Sequence, residues 1–181
     1  MKELSLNILD ITENSTKAGA SNVTISISET EDTMTISVSD DGCGMTEDFL
    51  REVTNPFTTT RTTRKVGLGI PLLKLAAEQT GGYVNIRSKH VSDYPSDHGT
   101  QTIALFYKNH LDFTPLGDVV STITTLIQGH PTVDFIFEHT SPSRTVKLDT
   151  KELREILGDV PLDSFEVVCW IKDFLTEQYS V

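Results

Sequence analysis

A chain of 181 residues has room for one ordinary core and a small appendage, because domains commonly run to roughly 100 to 150 residues. Its 26 acidic and 15 basic side chains leave a net charge of -11, which argues against nonspecific binding to nucleic acid or anionic membranes, both of which need clustered cations. No apolar run approaches the roughly 18 residues of a membrane helix, nothing at the amino terminus reads as a signal peptide, and Cys43 and Cys169 lie too far apart for a metal-ligand spacing, so a cytoplasmic protein is expected.

Leu4, Ile8 and Ile11, with Leu6 and Leu9 beside them, predict a helix over residues 3–18 with a broad buried face. Its carboxyl half carries Asp10, Glu13, Asn14 and Lys17 within the stretch DITENSTKAGA. Val23, Ile25 and Ile27 alternate with polar residues, as do Met34, Ile36 and Val38, which predicts a strand hairpin. The loop SDDGCGM follows, then a short helix capped by Thr46 with Glu47 and Asp48 in its first turn. NPFTTTRTTRKVGLGI is polar, basic and aperiodic and reads as a mobile loop. A helix near Pro71 ends at Gly81 and Gly82, and YVNIRSKH and GTQTIALFY read as two further strands.

The character changes near residue 110. Residues 110–181 hold 12 acids and 5 bases, against 14 acids and 10 bases in residues 1–109, so a polyanionic ligand is expected in the first part. In the second part, Leu116, Val119, Val120, Ile123, Leu126 and Ile127 predict a helix ended by Gly129. Two strands, TVDFIFEH and RTVKLD, come next. A helix from Asp149, with Glu152 placed for a capping box, and a last helix striped by Val167, Val168, Ile171, Phe174 and Leu175 close the chain. The expected organisation is a domain over 1–109 and a small acidic α/β extension over 110–181.

Two glycine pairs stand where a nucleotide would need them. In DDGCGM, Gly42 and Gly44 follow a strand and let backbone approach a flat ligand, while Asp40 at the strand end can accept a hydrogen bond from an exocyclic amine. In KVGLGI, Gly67 and Gly69 open a helix whose free amides and dipole favour a phosphate. Between the pairs lie Arg61, Arg64 and Lys65 with no acid after Glu52.

This order of motifs, closed by the GT of the late strand, resembles the GHKL ATPase superfamily of gyrase, a heat-shock chaperone, histidine kinases and the mismatch-repair ATPase. The resemblance covers about residues 3 to 107. It implies an α+β fold, a two-layer α/β sandwich of the GHKL (Bergerat) type with a mixed sheet, helices on one face and ATP held under a lid. Carried over by position, Asn14 matches the asparagine that coordinates Mg2+, an oxygen ligand suited to a hard cation. Asp40 matches the aspartate that reads adenine, with Gly42 and Gly44 shaping the pocket and Thr100 assisting through water. Gly67 and Gly69 match the lid's end, and NPFTTTR, with Phe57, resembles a histidine-kinase lid in which Arg61 and Lys65 would meet phosphates. Lys17, one turn beyond Asn14, resembles the histidine kinases, whereas ENS followed by AGA resembles the mismatch-repair ATPase.

The catalytic glutamate of that ATPase falls at Asp10 here, one methylene shorter, and Glu13 is expected to point off this face into solvent. The phosphoacceptor box of histidine kinases is faintly echoed by EHTSP at Glu138 to Pro142, on a strand pattern. Cys43 reads as loop filler and Trp170 as core or interface packing. The resemblance leaves three functions open: an ATP-binding regulator acting through a protein partner, as a kinase in trans similar to the serine kinases that act as anti-sigma factors; a conformational ATPase whose lid closure is reported to a partner subunit; or a nucleotide sensor without chemistry. The partner would engage the lid or the C-terminal extension.

Overall fold

The computed structural model describes residues 3–54 and 68–180. Among the described residues, twelve elements follow in chain order: α1 (Leu4–Lys17), β1 (Asn22–Glu29), β2 (Thr33–Asp40), α2 (Glu47–Thr54), α3 (Gly69–Gln79), β3 (Tyr83–Lys89), β4 (Gly99–Tyr107), α4 (Val119–Gly129), β5 (Asp134–Ser141), β6 (Arg144–Asp149), α5 (Thr150–Leu157) and α6 (Phe165–Ser180). The strands form one sheet in the order β3-β4-β2-β1-β5-β6. It is mixed, since β1 and β5 run parallel and the other neighbours antiparallel.

Register explains which face the helices cover. Directly paired residues share a face, and the pairs Ile25 with Val38 and Val38 with Thr102 continue through Ile25 with Phe137 and Phe137 with Leu148. These side chains are buried. The alternate residues, Thr24, Ser26, Thr35, Ser37 and Ser39, occupy the other face and are more accessible. Above the apolar face α3 packs on α1, α1 on α4 and α4 on α6, so two layers suffice to bury the period-2 strands against the helical stripes. Fully burying one such aliphatic side chain is worth about 1.5 to 3 kcal/mol.

The helix α1 begins where the chain's second half meets it. Its first N–H groups, on Leu4 and Ser5, donate to the carbonyls of Pro115 and Leu116 at 2.9 and 2.8 Å, which satisfies donors that a helix start otherwise leaves open. Leu4, Ile8 and Ile11 are buried as expected, but Leu6 is 44% exposed, so the stripe is narrower than the leucine count implied. Asp118 caps α4 by accepting from Ser121 N, and Asp149 caps α5 by accepting from Lys151 N.

Residues 110–181 thus contribute β5 and β6 to the same sheet and α4 and α6 to the same helical layer. At the far end of the covered face, Glu29 of β1 accepts from Lys108 Nζ at 2.7 Å and lies 2.9 Å from His139 Nε2, while His139 Nδ1 is 2.7 Å from the Tyr179 hydroxyl of α6. Burial pushes the Glu29 carboxyl up, but the hydrogen bonds with Lys108 and His139 outweigh it and hold the group below its usual range. His139 is 5% exposed, which removes the histidine of EHTSP from reach of a phosphate donor. Among the described residues, no helix is long and apolar enough to cross a membrane.

Candidate functional site

The register that buries the core also places polar groups at one end of it. Asp40 ends β2 opposite Thr100 of β4, and Thr100 stands opposite Ser88 of β3, so all three share the covered face. Above them lies the carboxyl half of α1. A cavity of about 280 Å³ opens there, lined by Asn14, Ser15, Lys17 and Ala18 of α1, by Asp40, Thr100 and Thr102 from the sheet, and by Cys43, Gly44 and Met45 from the loop. Phe49 and Val53 of α2 with Ile70 of α3 supply apolar wall. A mostly apolar concavity with a few fixed polar groups is the usual form of a small-ligand site.

Asp40 is held from three sides. Its Oδ2 accepts from Ser15 Oγ at 2.5 Å, and its Oδ1 accepts from Gly42 N at 2.9 Å and Thr100 N at 3.3 Å. The neighbouring Asp41 has a separate task, accepting from Ser21 N, Asn22 N and Asn22 Nδ2 at 2.7 to 2.9 Å to join the start of β1 to the loop. Burial pushes the Asp41 carboxyl up, and these hydrogen bonds more than reverse the effect. Gly44 has φ +71°, and a Cβ there would stand 2.0 Å from the Lys89 carbonyl oxygen, so the loop can lie against the β3 end only without a side chain.

Asn14 lies one turn before Ala18 and lines the cavity with Lys17. Among the described residues nothing bonds the Asn14 amide, so its oxygen is available to a cation or ligand. Asp10, a further turn back, is exposed and lies outside the cavity lining. It packs instead against the start of α3: a Cβ on Gly69 would come within 2.8 Å of the Asp10 Cβ, so the glycine lets the two helices approach. Glu13 stays off the cavity lining as expected, but it is not simply solvated, since its Oε1 lies 2.8 Å from His130 Nε2 beyond α4 and joins α1 to the second half. Arg61, Arg64, Lys65, Gly67, Phe57 and the rest of the expected lid lie outside the described residues.

The sequence reading missed Ser15, which orients Asp40, and the apolar wall of Met45, Phe49, Val53 and Ile70. Ser15 follows Asn14 in the motif stretch and could have been suspected. The wall residues look like ordinary core positions, and Cys43, expected as filler, lines the cavity. Among the described residues, no group of three His, Cys, Asp or Glu could hold a metal. The donor set at Asn14, a neutral amide oxygen beside an open cavity, fits a hard cation completed by ligand oxygens and water.

Residues 1–114 match the family model described as histidine kinase-, DNA gyrase B- and HSP90-like ATPase. No match is found among curated proteins. The fold is similar to that of the Aquifex aeolicus MutL ATPase domain complexed with ADP, at TM-score 0.55 and 16% identity over 87% of this chain and 69% of that one. It is similar also to the N-terminal domain of a DNA repair protein, at TM-score 0.55 and 14% identity over 88% of this chain and 58% of that one. Both likenesses extend beyond the segment that the family model matches, into the strands and helices of the second half.

Proposed function

The chain belongs to the histidine kinase-, DNA gyrase B- and HSP90-like ATPase family, and on that premise we propose that its cavity binds magnesium-ATP and that occupancy is passed to residues 110–181. The observation that carries the nucleotide reading is Asp40, a carboxylate inside a largely apolar cavity with both oxygens oriented by Ser15, Gly42 and Thr100. Such an acceptor suits the amino group of adenine and opposes the carbonyl that guanine presents at that edge. Asn14 would hold the magnesium ion, which neutralises phosphate charge when bound. Lys17, which lines the same cavity three residues on, would meet the phosphates.

The support for coupling is mechanical. The helix that carries Asn14 starts on the carbonyls of Pro115 and Leu116 and is tied near its end by Glu13 to His130. A ligand that shifts α1 therefore acts directly on α4 and the strand that follows it. This favours the conformational ATPase over the kinase in trans, and the base for slow hydrolysis would be Asp10, one turn from Asn14 and just outside the cavity lining. Phosphate release is the deciding assay. Steady release by the purified protein alone supports the conformational reading, whereas ATP retained intact until a second protein accepts its phosphate supports the kinase.

A further inference from the structure

We infer that His98, in the connection between β3 and β4, is a positioning residue for adenine recognition, acting through the Gly42 carbonyl. The inference rests on the ATP reading above. His98 Nδ1 lies 2.6 Å from Gly42 O. A carbonyl oxygen only accepts, so Nδ1 carries the proton and donates. The other side of the same residue, Gly42 N, donates to Asp40 Oδ1 at 2.9 Å. His98 thus grips the one residue of the loop that also touches the adenine-reading carboxylate.

The grip is part of a seam. Cys43 O accepts from Val91 N at 2.9 Å, Met45 N donates to Ser88 Oγ at 2.7 Å, and Ser88 Oγ lies 2.7 Å from Thr100 Oγ1. Backbone groups at residues 42, 43 and 45 are therefore bound to the β3–β4 region, and His98 is the side chain that fixes the first of them. It stands outside the cavity lining and so has no need to touch the nucleotide. A short loop with two glycines has many accessible backbone conformations, and the observed one presents Gly42 N to Asp40. Selecting that conformation in advance removes an ordering cost from binding.

The test compares wild type, His98→Ala and His98→Asn by titration calorimetry with magnesium-ATP and with magnesium-tripolyphosphate, which engages the phosphate end alone. Asparagine places an N–H donor close to where Nδ1 stands, and alanine places none. Loss of one such hydrogen bond predicts about fivefold or more weaker ATP binding for His98→Ala, restored in His98→Asn, with tripolyphosphate binding the same in all three. ATP bound equally well by His98→Ala overturns the inference, as does an asparagine variant no better than alanine. Equal losses of ATP and tripolyphosphate would mean general disorder and overturn it too. Nitrogen NMR of the ligand-free protein supplies an independent reading, since a proton found on His98 Nε2 with Nδ1 bare would contradict the bond. Wild type that binds tripolyphosphate without discriminating ATP from GTP would instead bring down the adenine reading beneath it.

Discussion

Replacing Asp40 by asparagine separates adenine recognition from folding, because the structure lets the amide keep most of what the carboxylate holds. One oxygen remains for Gly42 N and Thr100 N, now 2.9 and 3.3 Å from Oδ1. The new NH2 falls where Oδ2 accepts from Ser15; the serine hydroxyl can accept from it and turn its own proton toward the Ile11 carbonyl, 3.5 Å away. The fold should therefore survive with a small change in melting temperature. What disappears is a charged acceptor for the adenine amine, worth about 1.5 to 3 kcal/mol, or roughly 10- to 150-fold in Kd. Calorimetry with ATP and GTP reads the effect, and the ATP preference should narrow because an amide can donate to the guanine carbonyl. Undiminished ATP affinity in a folded Asp40→Asn protein would refute the assignment.

Asn14→Ala should weaken ATP binding in magnesium and leave the weaker magnesium-free binding nearly unchanged, as matched titrations with and without chelator would show. Asp10→Asn should leave ATP affinity within about twofold while lowering single-turnover hydrolysis on the order of 10-fold or more; hydrolysis at the wild-type rate would make Asp10 a packing residue of the α1–α3 contact. Gly44→Ala forces a Cβ to 2.0 Å from Lys89 O at φ +71°, and should cost about 1 to 3 kcal/mol of stability in denaturant unfolding. The Glu29 carboxyl is held below its usual 4.5, so its contribution to stability is complete above that pH and is lost as pH falls through the depressed folded value. Melting temperature should accordingly fall less steeply below about pH 4.5 in Glu29→Gln than in wild type, although the variant is less stable near neutrality.

Local pattern made the elements legible. Val23, Ile25 and Ile27 against Met34, Ile36 and Val38 gave a hairpin that the register reproduces, and the position of Asp40 at a strand end before two glycines marked the cavity. Long-range pairing was not legible. Nothing in TVDFIFEH says that it lies parallel to β1, because its apolar side chains would suit any buried strand, and so the second half read as an appendage although the structure continues the sheet through it. Glu13's tie to the second half was missed for the same reason, since its partner His130 is remote in sequence. His98 escaped because it works through another residue, a role that leaves no spacing signal, whereas Ser15, beside Asn14, was passed over although its place in the motif stretch offered one. Leu6 shows the opposite error, a hydrophobic residue counted into a face that the helix turns outward.

The central claim is that magnesium-ATP occupies the cavity between α1 and the Asp40 end of the sheet. Amide NMR of the wild-type protein during a magnesium-ATP titration tests it most directly. Saturable shifts should be largest at Asn14, Ser15, Gly42, Gly44 and Thr100, and smallest on β6 and α5, away from the cavity. A spectrum unchanged at saturating nucleotide, or shifts that centre on β6 and α5 and spare these residues, would contradict the account.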